Sequence, residues 1–321
     1  MVMIDIRGAA ERLRAADDIW ILIHMSPDGD ALGCAFALWD ALSAMGKRVA
    51  VLSPDPLAAM YGFLYPEGYE PERFEPRFIL SVDLASPGLM GRYEELAPRV
   101  DLCIDHHPTN TGYARETCLA PTAAAAGETV LDVLVAMDAP ISRYCADALY
   151  LAISSDTGGF RYASTTAETH RKAARLMEMG AGSAEVDRLL FESKPRALVA
   201  VEGHLMTHMG YYYDGLCAVI RLPRNLLSEY DLDDSDTDGI SALPRKVQGV
   251  EAGVTLRERE EGGCRVSLRT THISACEICA QFGGGGHRLA AGCTIQGTLD
   301  EAEAAVVEAV GAVLEREGLL V

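Results

Sequence analysis

Short apolar runs alternate with longer apolar-rich segments along the first half of the chain. Residues 19–23 are continuously apolar, which is typical of a strand buried on both faces. A polar turn follows, and we predict a helix at 31–45 that ends at Gly46. The pattern recurs, and it predicts strands at 49–52, 78–82 and 102–104 and helices at 124–137, 142–155 and 167–179. Strand–helix alternation with apolar strands favours a parallel α/β sheet.

The pattern changes after residue 183. Residues 183–208 show helical spacing without strands, and strand candidates follow at 216–222, 250–257 and 264–269. A glycine cluster and an acidic terminal helix complete the chain. We therefore expect two domains, at 1–184 and 211–321, joined by a helical connector at 185–210.

Composition and charge narrow the class of protein. The chain has 321 residues, of which 49% are hydrophobic and 23% charged, as in ordinary globular proteins. A net charge of −19 argues against a protein that binds long duplex nucleic acid, because each neutralised phosphate needs a local cation. Apolar runs fall far short of the about 18 residues that a membrane span needs. Nine scattered cysteines and an acidic N-terminal region favour a cytoplasmic protein.

Acidic and histidine residues cluster where the predicted strands and helices end. The clusters are His24, Asp28 and Asp30 after the first strand, Asp83 after the strand at 78–82, Asp105, His106 and His107 after the strand at 102–104, and Asp156 after the helix at 142–155. In open α/β sheets, ligands bind at the carboxyl ends of the strands. We therefore expect these groups to converge on one crevice.

A divalent metal centre explains so many carboxylates in one place. Carboxylates that lie close together repel, and burying them without a partner is costly. Mixed carboxylate and imidazole ligands suit manganese, iron or zinc better than calcium. Six or more ligands exceed what one catalytic ion uses, so the pattern indicates two ions. The alternative is that single residues have structural roles, with Asp30 capping the following helix and His106 buried in the core.

Several motifs resemble a known superfamily. His24-x-x-x-Asp28-x-Asp30, Asp83, Asp105-His106-His107 and Asp156-Thr157-Gly158 resemble the four motifs of the DHH phosphoesterases. Residues 283–292, GGGGHRLAAG, are similar to the GGGH motif of the DHH-associated C-terminal domain. The spacing resembles the subfamily of bifunctional oligoribonucleases (nano-RNases) and pAp phosphatases. The resemblance implies a Rossmann-like parallel sheet flanked by helices in the metal-binding catalytic domain at 1–184, and a mixed sheet in the smaller substrate-binding α/β domain at 211–321.

The resemblance also assigns roles at the predicted metal centre. It implies two Mn²⁺ ions, one held by His24, Asp28 and Asp83. The second ion would be held by Asp30, Asp83, His106 and Asp156, so that Asp83 bridges the pair. His107 would face the scissile phosphate, and Asp105 would orient its neighbours.

Further residues are implied to bind substrate. In the second domain they are Arg269, Thr270, Gly284, Gly285, Gly286 and His287. Consecutive glycines let the backbone approach a phosphate closely and present N–H groups to it. Arg161 follows Asp156 closely enough to contribute, and its alternative is a surface arginine paired with an acid. Cys276-x-x-Cys279 is compatible with zinc, but without a second such pair we prefer two small core residues on a helix.

These features predict a manganese-dependent hydrolase that cleaves short nucleotide substrates to nucleoside monophosphates. The candidate substrates are oligoribonucleotides of a few residues, linear dinucleotides such as pApA and 3′-phosphoadenosine 5′-phosphate (pAp), which the sequence does not rank. Two alternatives stay open, a cyclic dinucleotide phosphodiesterase and a nucleotide-binding sensor without turnover. No membrane or long duplex partner is expected. Because members of the family are often dimers, the resemblance suggests a homodimer.

Overall fold

The computed structural model of the chain describes residues 2–57, 59–65, 69–232, 237 and 239–320, with backbone alone at Ala59 and His287. The chain forms two compact units, Met1–Ser193 and Lys194–Val321. Each unit has its own sheet and its own buried core.

The first unit contains a parallel sheet with helices between its strands. Its described strands are β1 (Val2–Met3), β2 (Ile19–Leu22), β3 (Val49–Leu52), β4 (Phe78–Val82), β5 (Leu102–Asp105) and β6 (Glu116–Leu119). Its described α-helices are α1 (Ile6–Ala15), α2 (Gly29–Ala44), α3 (Ala126–Ala136), α4 (Arg143–Asp156), α5 (Ala167–Glu178) and α6 (Ser183–Asp187). Short 3₁₀ helices lie at Ala59–Tyr61 and Pro87–Arg99, and a π-helical turn lies at Arg188–Glu192.

The strand order places a topological switch point between β2 and β4. The order is β1-β6-β5-β4-β2-β3, and every neighbouring pair is parallel. The chain therefore leaves β2 toward one edge of the sheet, through β3, and returns on the other side of β2 at β4. Crevices at such switch points are where open α/β sheets bind ligands. The carboxyl ends of β2, β4 and β5 lie side by side there, because Leu22 pairs with Ser81 and Val82 pairs with Ile104.

Both faces of this sheet are covered, which explains its apolar strands. Ile19, Ile21 and Ile23 pack on one face in the main core with α1, α2, α3 and α4. Leu22 points to the opposite face and packs with Met90 of the 3₁₀ segment. A strand buried on both faces needs apolar residues at successive positions rather than alternate ones.

Helix α2 approaches α4 closely through a glycine. A Cβ on Gly33 would lie 2.9 Å from Cβ of Ala152 on α4. Glycine at this position therefore allows the two helix backbones to come together. The contact fixes α4 against the helix that follows β2.

The second unit contains a mixed sheet. Its described strands are β7 (Gly210–Tyr212), β8 (Cys217–Leu222), β9 (Ala252–Glu258), β10 (Cys264–Thr270), β11 (Gly285–His287) and β12 (Ala290–Ile295), in the order β11-β12-β10-β9-β8-β7. Its described α-helices are α7 (Arg196–Thr207), α8 (Arg224–Glu229), α9 (Ala275–Ala280) and α10 (Leu299–Arg316). Only β8 and β9 pair in parallel among these strands.

Alternate residues of β8 enter two different apolar clusters in this unit. Val219 packs with residues of α9 and α10, whereas Ile220 packs with Val201 of α7. This alternation places helices on both faces of the mixed sheet. The predicted α/β fold, with a parallel sheet and then a mixed one, is confirmed. Across the described ranges, none of the helices has the length and apolar character needed to cross a membrane.

Candidate metal centre

His24 lies directly after β2, and its orientation is set by the main chain. Its Nδ1 lies 2.8 Å from the carbonyl oxygen of Met25. Because a carbonyl only accepts, Nδ1 carries the proton and Nε2 is left as the basic nitrogen. Nε2 lies 3.7 Å from a carboxylate oxygen of Asp28 and 3.7 Å from Oδ2 of Asp83. Ligand atoms of these three residues all lie within 4.8 Å of one another.

Asp28 and Asp30 have different roles at the start of α2. The N-cap is Asp28, whose Oδ1 accepts hydrogen bonds from the amides of Asp30 and Ala31 over 3.0 and 3.1 Å. Asp30 is inside the first turn and buried. The structural alternative for Asp30, an N-cap, is therefore wrong, because the residue two positions earlier caps the helix.

The carboxylate of Asp83 lies between two imidazoles. It is only 3% exposed, and Oδ1 lies 3.5 Å from Nε2 of His106 while Oδ2 faces His24. Oδ1 has no hydrogen-bond partner within the described structure. The backbone of Asp83 has φ of 53°, a left-handed conformation that costs energy for a residue with a side chain. A strained backbone and an unpartnered buried oxygen together indicate a site built for a ligand.

A second group of ligand atoms surrounds His106. Its Nδ1 lies 3.2 Å from the carbonyl oxygen of Ala123, which directs Nε2 toward the acids. Nε2 lies 3.8 Å from Asp30 and 3.5 Å from Asp156, the last residue of α4. These three residues form a candidate metal-binding group within 4.8 Å. His106 is thus a residue of the crevice, and not only a core histidine.

Main-chain amides at the start of α3 hold the carboxylate of Asp30 in place. The amides of Ala126 and Gly127, at the start of α3, donate to its two carboxylate oxygens over 2.6 and 2.9 Å. A Cβ on Gly127 would lie 2.7 Å from Cβ of Ala152, so glycine lets α3 come this close. The amino end of α3 therefore fixes the carboxylate.

Asp105 orients His107 from a buried position. Its Oδ1 accepts hydrogen bonds from the amides of His106 and His107, over 2.8 and 3.2 Å, and from Nδ1 of His107 over 2.8 Å. Its Oδ2 accepts from Nδ2 of Asn110 over 2.6 Å. Nδ1 of His107 therefore carries a proton and donates it to Asp105 in this hydrogen bond. Ligand atoms of Asp83, His106 and His107 also lie within 4.8 Å of one another, which makes a third candidate group. The sequence reasoning missed Asn110, since a lone amide in a loop carries no pattern that marks its partner.

Charges within the crevice perturb several pKa values. Burial, followed by repulsion from Asp83 and Asp156, raises the pKa of Asp30 well above its usual value. Burial and the charge of Asp28 raise the pKa of Asp156 to about 7. Burial lowers the pKa of His24, but Asp28 and Asp83 outweigh this effect and raise it well above the usual value. Each shift arises from negative charge concentrated in a poorly hydrated place.

The chemistry of these side chains fits divalent metal ions. Positive charge placed among the carboxylates would offset their repulsion and give Oδ1 of Asp83 a partner. Both imidazoles present Nε2 while a backbone carbonyl holds Nδ1, the usual arrangement of metal-binding histidines. Carboxylates mixed with imidazoles are typical of Mn²⁺, Fe²⁺ or Zn²⁺ sites.

Arg161 lies on the segment that follows α4. Its Nε donates to the carbonyl oxygen of Gly158, and its guanidinium stacks on Phe191 at 5.3 Å from the ring centre. The side chain is exposed and is held by Gly158 of its own segment and by Phe191 of the π-helical turn. Its predicted contact with substrate stays a prediction.

The predicted substrate-binding residues of the second unit meet at one end of its sheet. Ala290 pairs with Arg269 on β10 and with His287 on β11, so these two residues flank it. Gly285 and Gly286 belong to β11, and Gly284 donates its amide to the carbonyl of Cys279 over 2.9 Å. The side chain of His287 lies outside the described part of the chain.

Thr270 does not fit its predicted role. Its side chain is 0% exposed, and its hydroxyl donates to the carbonyl oxygen of Ile273 over 2.7 Å. The hydroxyl therefore stabilises the turn after β10 and is not presented to a substrate. Cys276 and Cys279 lie on α9, and Cys279 is buried in the apolar core of the unit.

Comparisons with known proteins identify the family of the chain. The sequence model of the DHH family, N-terminal domain, matches residues 18–153, and that of the DHHA1 domain matches residues 217–316. The chain belongs to the DHH family of phosphoesterases, as its motifs predicted. Over 98% of its length it is 35% identical to the bifunctional oligoribonuclease and PAP phosphatase NrnA of Thermus thermophilus, of which the match covers 96%.

Solved structures show the same fold. An exopolyphosphatase-related protein from Bacteroides fragilis superposes with a TM-score of 0.87 at 25% identity, covering 96% of this chain and 95% of that one. RecJ of Thermus thermophilus, solved in complex with Mn²⁺, superposes with a TM-score of 0.56 at 16% identity. That match covers 96% of this chain and 54% of RecJ, and it supports the fold alone.

Proposed function

We propose that this chain is a two-metal phosphoesterase that hydrolyses short oligoribonucleotides, linear dinucleotides such as pApA, and pAp. The observation that carries the proposal is the carboxylate of Asp83, whose two oxygens face two separate groups of ligand atoms. Similarity to NrnA over nearly the full chain supports the substrate class. The products are nucleoside monophosphates, together with inorganic phosphate when pAp is the substrate.

The proposed metal ligands are those that the motifs indicate. His24, Asp28 and Asp83 would hold one ion, and Asp30, His106 and Asp156 would hold the other, with Asp83 able to contribute to both. We propose Mn²⁺ because the resemblance to the DHH phosphoesterases implies it and because carboxylate and imidazole donors suit this ion. When bound, two such ions supply Lewis-acid polarisation of the phosphoryl group and an activated water nucleophile.

Side chains of the first unit complete the proposed mechanism. Asp105 holds His107 with its proton on Nδ1, and Asn110 holds Asp105. His107 then stabilises the negative charge that develops on a non-bridging oxygen of the phosphate. In this proposal Asp105 and Asn110 act through His107 and do not touch the substrate.

Residues of the second unit are proposed to bind the nucleotide. The guanidinium of Arg269 suits a phosphate, to which it can donate two parallel hydrogen bonds. The backbone at Gly285 is open to close approach, because a Cβ there would meet nothing within 4 Å, and His287 follows in sequence. A Cβ on Gly284 or Gly286 would instead meet the backbone of β12, so these two glycines let their segment pack against that strand. Arg161 remains a further candidate from the first unit. A net charge of −19 agrees with short substrates held at a few points rather than along a basic groove.

Hydrolysis of 5′-phosphorylated diadenylate with Mn²⁺ tests the proposal. The wild type is compared with Asp83→Ala, and products are resolved by chromatography. We expect AMP from the wild type and no AMP from the variant. Absence of turnover by a folded, Mn²⁺-loaded wild type refutes the dinucleotide assignment, and pAp and cyclic di-AMP are then assayed in the same way. Binding of all of these without hydrolysis would indicate a sensor.

A further inference from the structure

Glu128 is a buried acid that none of the assigned roles uses. It lies in the first turn of α3 and is only 2% exposed. A carboxylate is costly to bury, so its hydrogen bonds must be made inside the protein. Its surroundings link it to the loop at 123–127, which contacts two of the proposed metal ligands.

One carboxylate oxygen of Glu128 holds that loop. Oε1 accepts a hydrogen bond from the amide of Ala124 over 3.1 Å and from the hydroxyl of Thr169 over 2.7 Å. Thr169 is itself fully buried on α5. The loop is thereby tied through one side chain to a second helix.

A lysine compensates the charge of Glu128. Nζ of Lys172 lies 3.5 Å from Oε2 and donates to the backbone carbonyl of Glu128 over 3.2 Å. It also donates to Asp132 over 2.7 Å, one turn further along α3. Asp132 shares this lysine with Glu128 but bonds to no loop residue in the described structure, which makes it a matched control.

The loop that Glu128 holds contacts Asp30 and His106 directly. The carbonyl of Ala123 fixes the Nδ1–H form of His106, and the amides of Ala126 and Gly127 bind both oxygens of Asp30. Ala124 lies between these contacts, so its bond to Glu128 restrains the loop at its centre. Both ligands belong to the same proposed metal group.

We infer that Glu128 is a positioning residue for the metal site formed by Asp30, His106 and Asp156. It acts through the loop at 123–127 and touches no metal or substrate. Residues that orient metal ligands typically change metal affinity by about 10–100-fold when they are replaced. This inference rests on the proposed function, because it assumes that the group binds Mn²⁺.

The test is calorimetric titration of Mn²⁺ into the full-length chain and its variants. We expect Glu128→Ala to weaken one of two Mn²⁺ sites by about 10–100-fold and to leave the other close to wild type. Glu128→Asp keeps the charge but is one methylene too short, so it should weaken the same site even if the alanine variant fails to fold. Glu128→Gln keeps an oxygen for Ala124 and Thr169 and should restore the affinity. Asp132→Asn should bind both ions normally.

A second measurement does not depend on metal. Nitrogen NMR of the imidazoles reports the tautomer of His106 when it is recorded at a pH high enough for the ring to be neutral. The wild type should show His106 protonated on Nδ1, whereas Glu128→Asp should show a mixture of tautomers. Unchanged Mn²⁺ affinity and an unchanged tautomer in that variant, or an equal loss in Asp132→Asn, would overturn the inference. In another outcome, the wild type binds no Mn²⁺ while Glu128→Asp still changes the tautomer of His106. That result would refute the proposed metal site but not the positioning role of Glu128.

Discussion

The buried Asp105 and the half-buried His107 form a carboxylate–imidazole pair, in which Nδ1 of the histidine donates to Oδ1 of the aspartate over 2.8 Å. Burial lowers the pKa of His107, but this hydrogen bond and the charge of Asp83 outweigh it and raise the pKa to about 9. For Asp105 the effect of burial has the opposite sign and raises the pKa. The hydrogen bonds that Asp105 accepts from His107 and Asn110 outweigh burial and bring its pKa below the usual value. The pair thus favours a charged carboxylate and a protonated imidazole.

Replacing His107 separates a catalytic role from metal binding. His107→Gln should lower kcat for pApA by about 10²–10³, the usual loss when one donor to a developing oxyanion is removed. Its Mn²⁺ affinity should stay close to that of the wild type, because Nδ1 is engaged with Asp105. Initial rates and titration calorimetry measure the two quantities. A loss of Mn²⁺ affinity that matches the loss of activity would make His107 a ligand.

Asp83 should matter more for metal content than any other proposed ligand. Because its two oxygens face both groups, Asp83→Ala should lower the occupancy of both Mn²⁺ sites. Asp28→Ala and Asp156→Ala should each lower the occupancy of one site. Elemental analysis after dialysis against a fixed Mn²⁺ concentration measures this. Two ions retained by Asp83→Ala would exclude a shared ligand.

Glu251 should make the stability of the second unit depend on pH. Burial raises its pKa, but hydrogen bonds from the amides of Ile273 and His272 and from the ring of His272 outweigh this and lower it. A lowered native pKa stabilises the fold above the unfolded pKa, and the contribution is lost as the pH falls through the native value. Glu251→Gln should therefore have a lower Tm than the wild type at pH 7.

The difference in Tm between wild type and Glu251→Gln should shrink as the pH falls below about 5, because the wild-type carboxyl then becomes protonated. Glu277→Gln is the control, since its carboxylate pairs with Arg316 on the surface and exposed pairs contribute little. Calorimetric scans across this pH range measure each Tm. A constant difference at every pH would show that the charge of Glu251 is not responsible.

Gly33 should tolerate no side chain. A Cβ there would lie 2.9 Å from Cβ and 3.0 Å from the amide nitrogen of Ala152, so α2 and α4 must move apart. Gly33→Ala should lower the free energy of unfolding by about 1–3 kcal/mol. Gly88→Ala is the control, because a Cβ at that position meets nothing within 4 Å. Equal urea midpoints for the two variants would contradict this packing.

Hydrophobic pattern predicted the apolar strands of the first unit well, and it predicted short strands with polar or glycine residues poorly. The strands at 49–52 and 78–82 have the predicted bounds, because burial on both faces makes every residue but Ser81 apolar. Strand β6 carries Glu116 and Thr117 and is too short for an apolar run to mark it. Strand β11 consists of Gly285, Gly286 and His287, and only its pairing with β12 makes it a strand.

Some residues of the candidate site could likewise be predicted from the sequence, and others could not. Acids at strand ends could be predicted to converge, because parallel strands bring their carboxyl ends to one edge. The contacts of Asn110 and Ala123 could not be predicted, since they depend on how two loops fold in space. Thr270 shows that a matching residue type does not fix the role of a side chain. The sequence predicted a contact with substrate, but the hydroxyl is used within the turn after β10.

Asp30 and His106 are held by main-chain groups at Ala123, Ala126 and Gly127. The contacts that hold these two residues therefore do not depend on which side chains the loop carries. A substitution at the half-buried Ala123 changes a side chain but does not remove the carbonyl that accepts from His106, whereas Ala126 is fully buried in the core. The side chain at position 123 can therefore change in evolution while the contact that orients His106 persists.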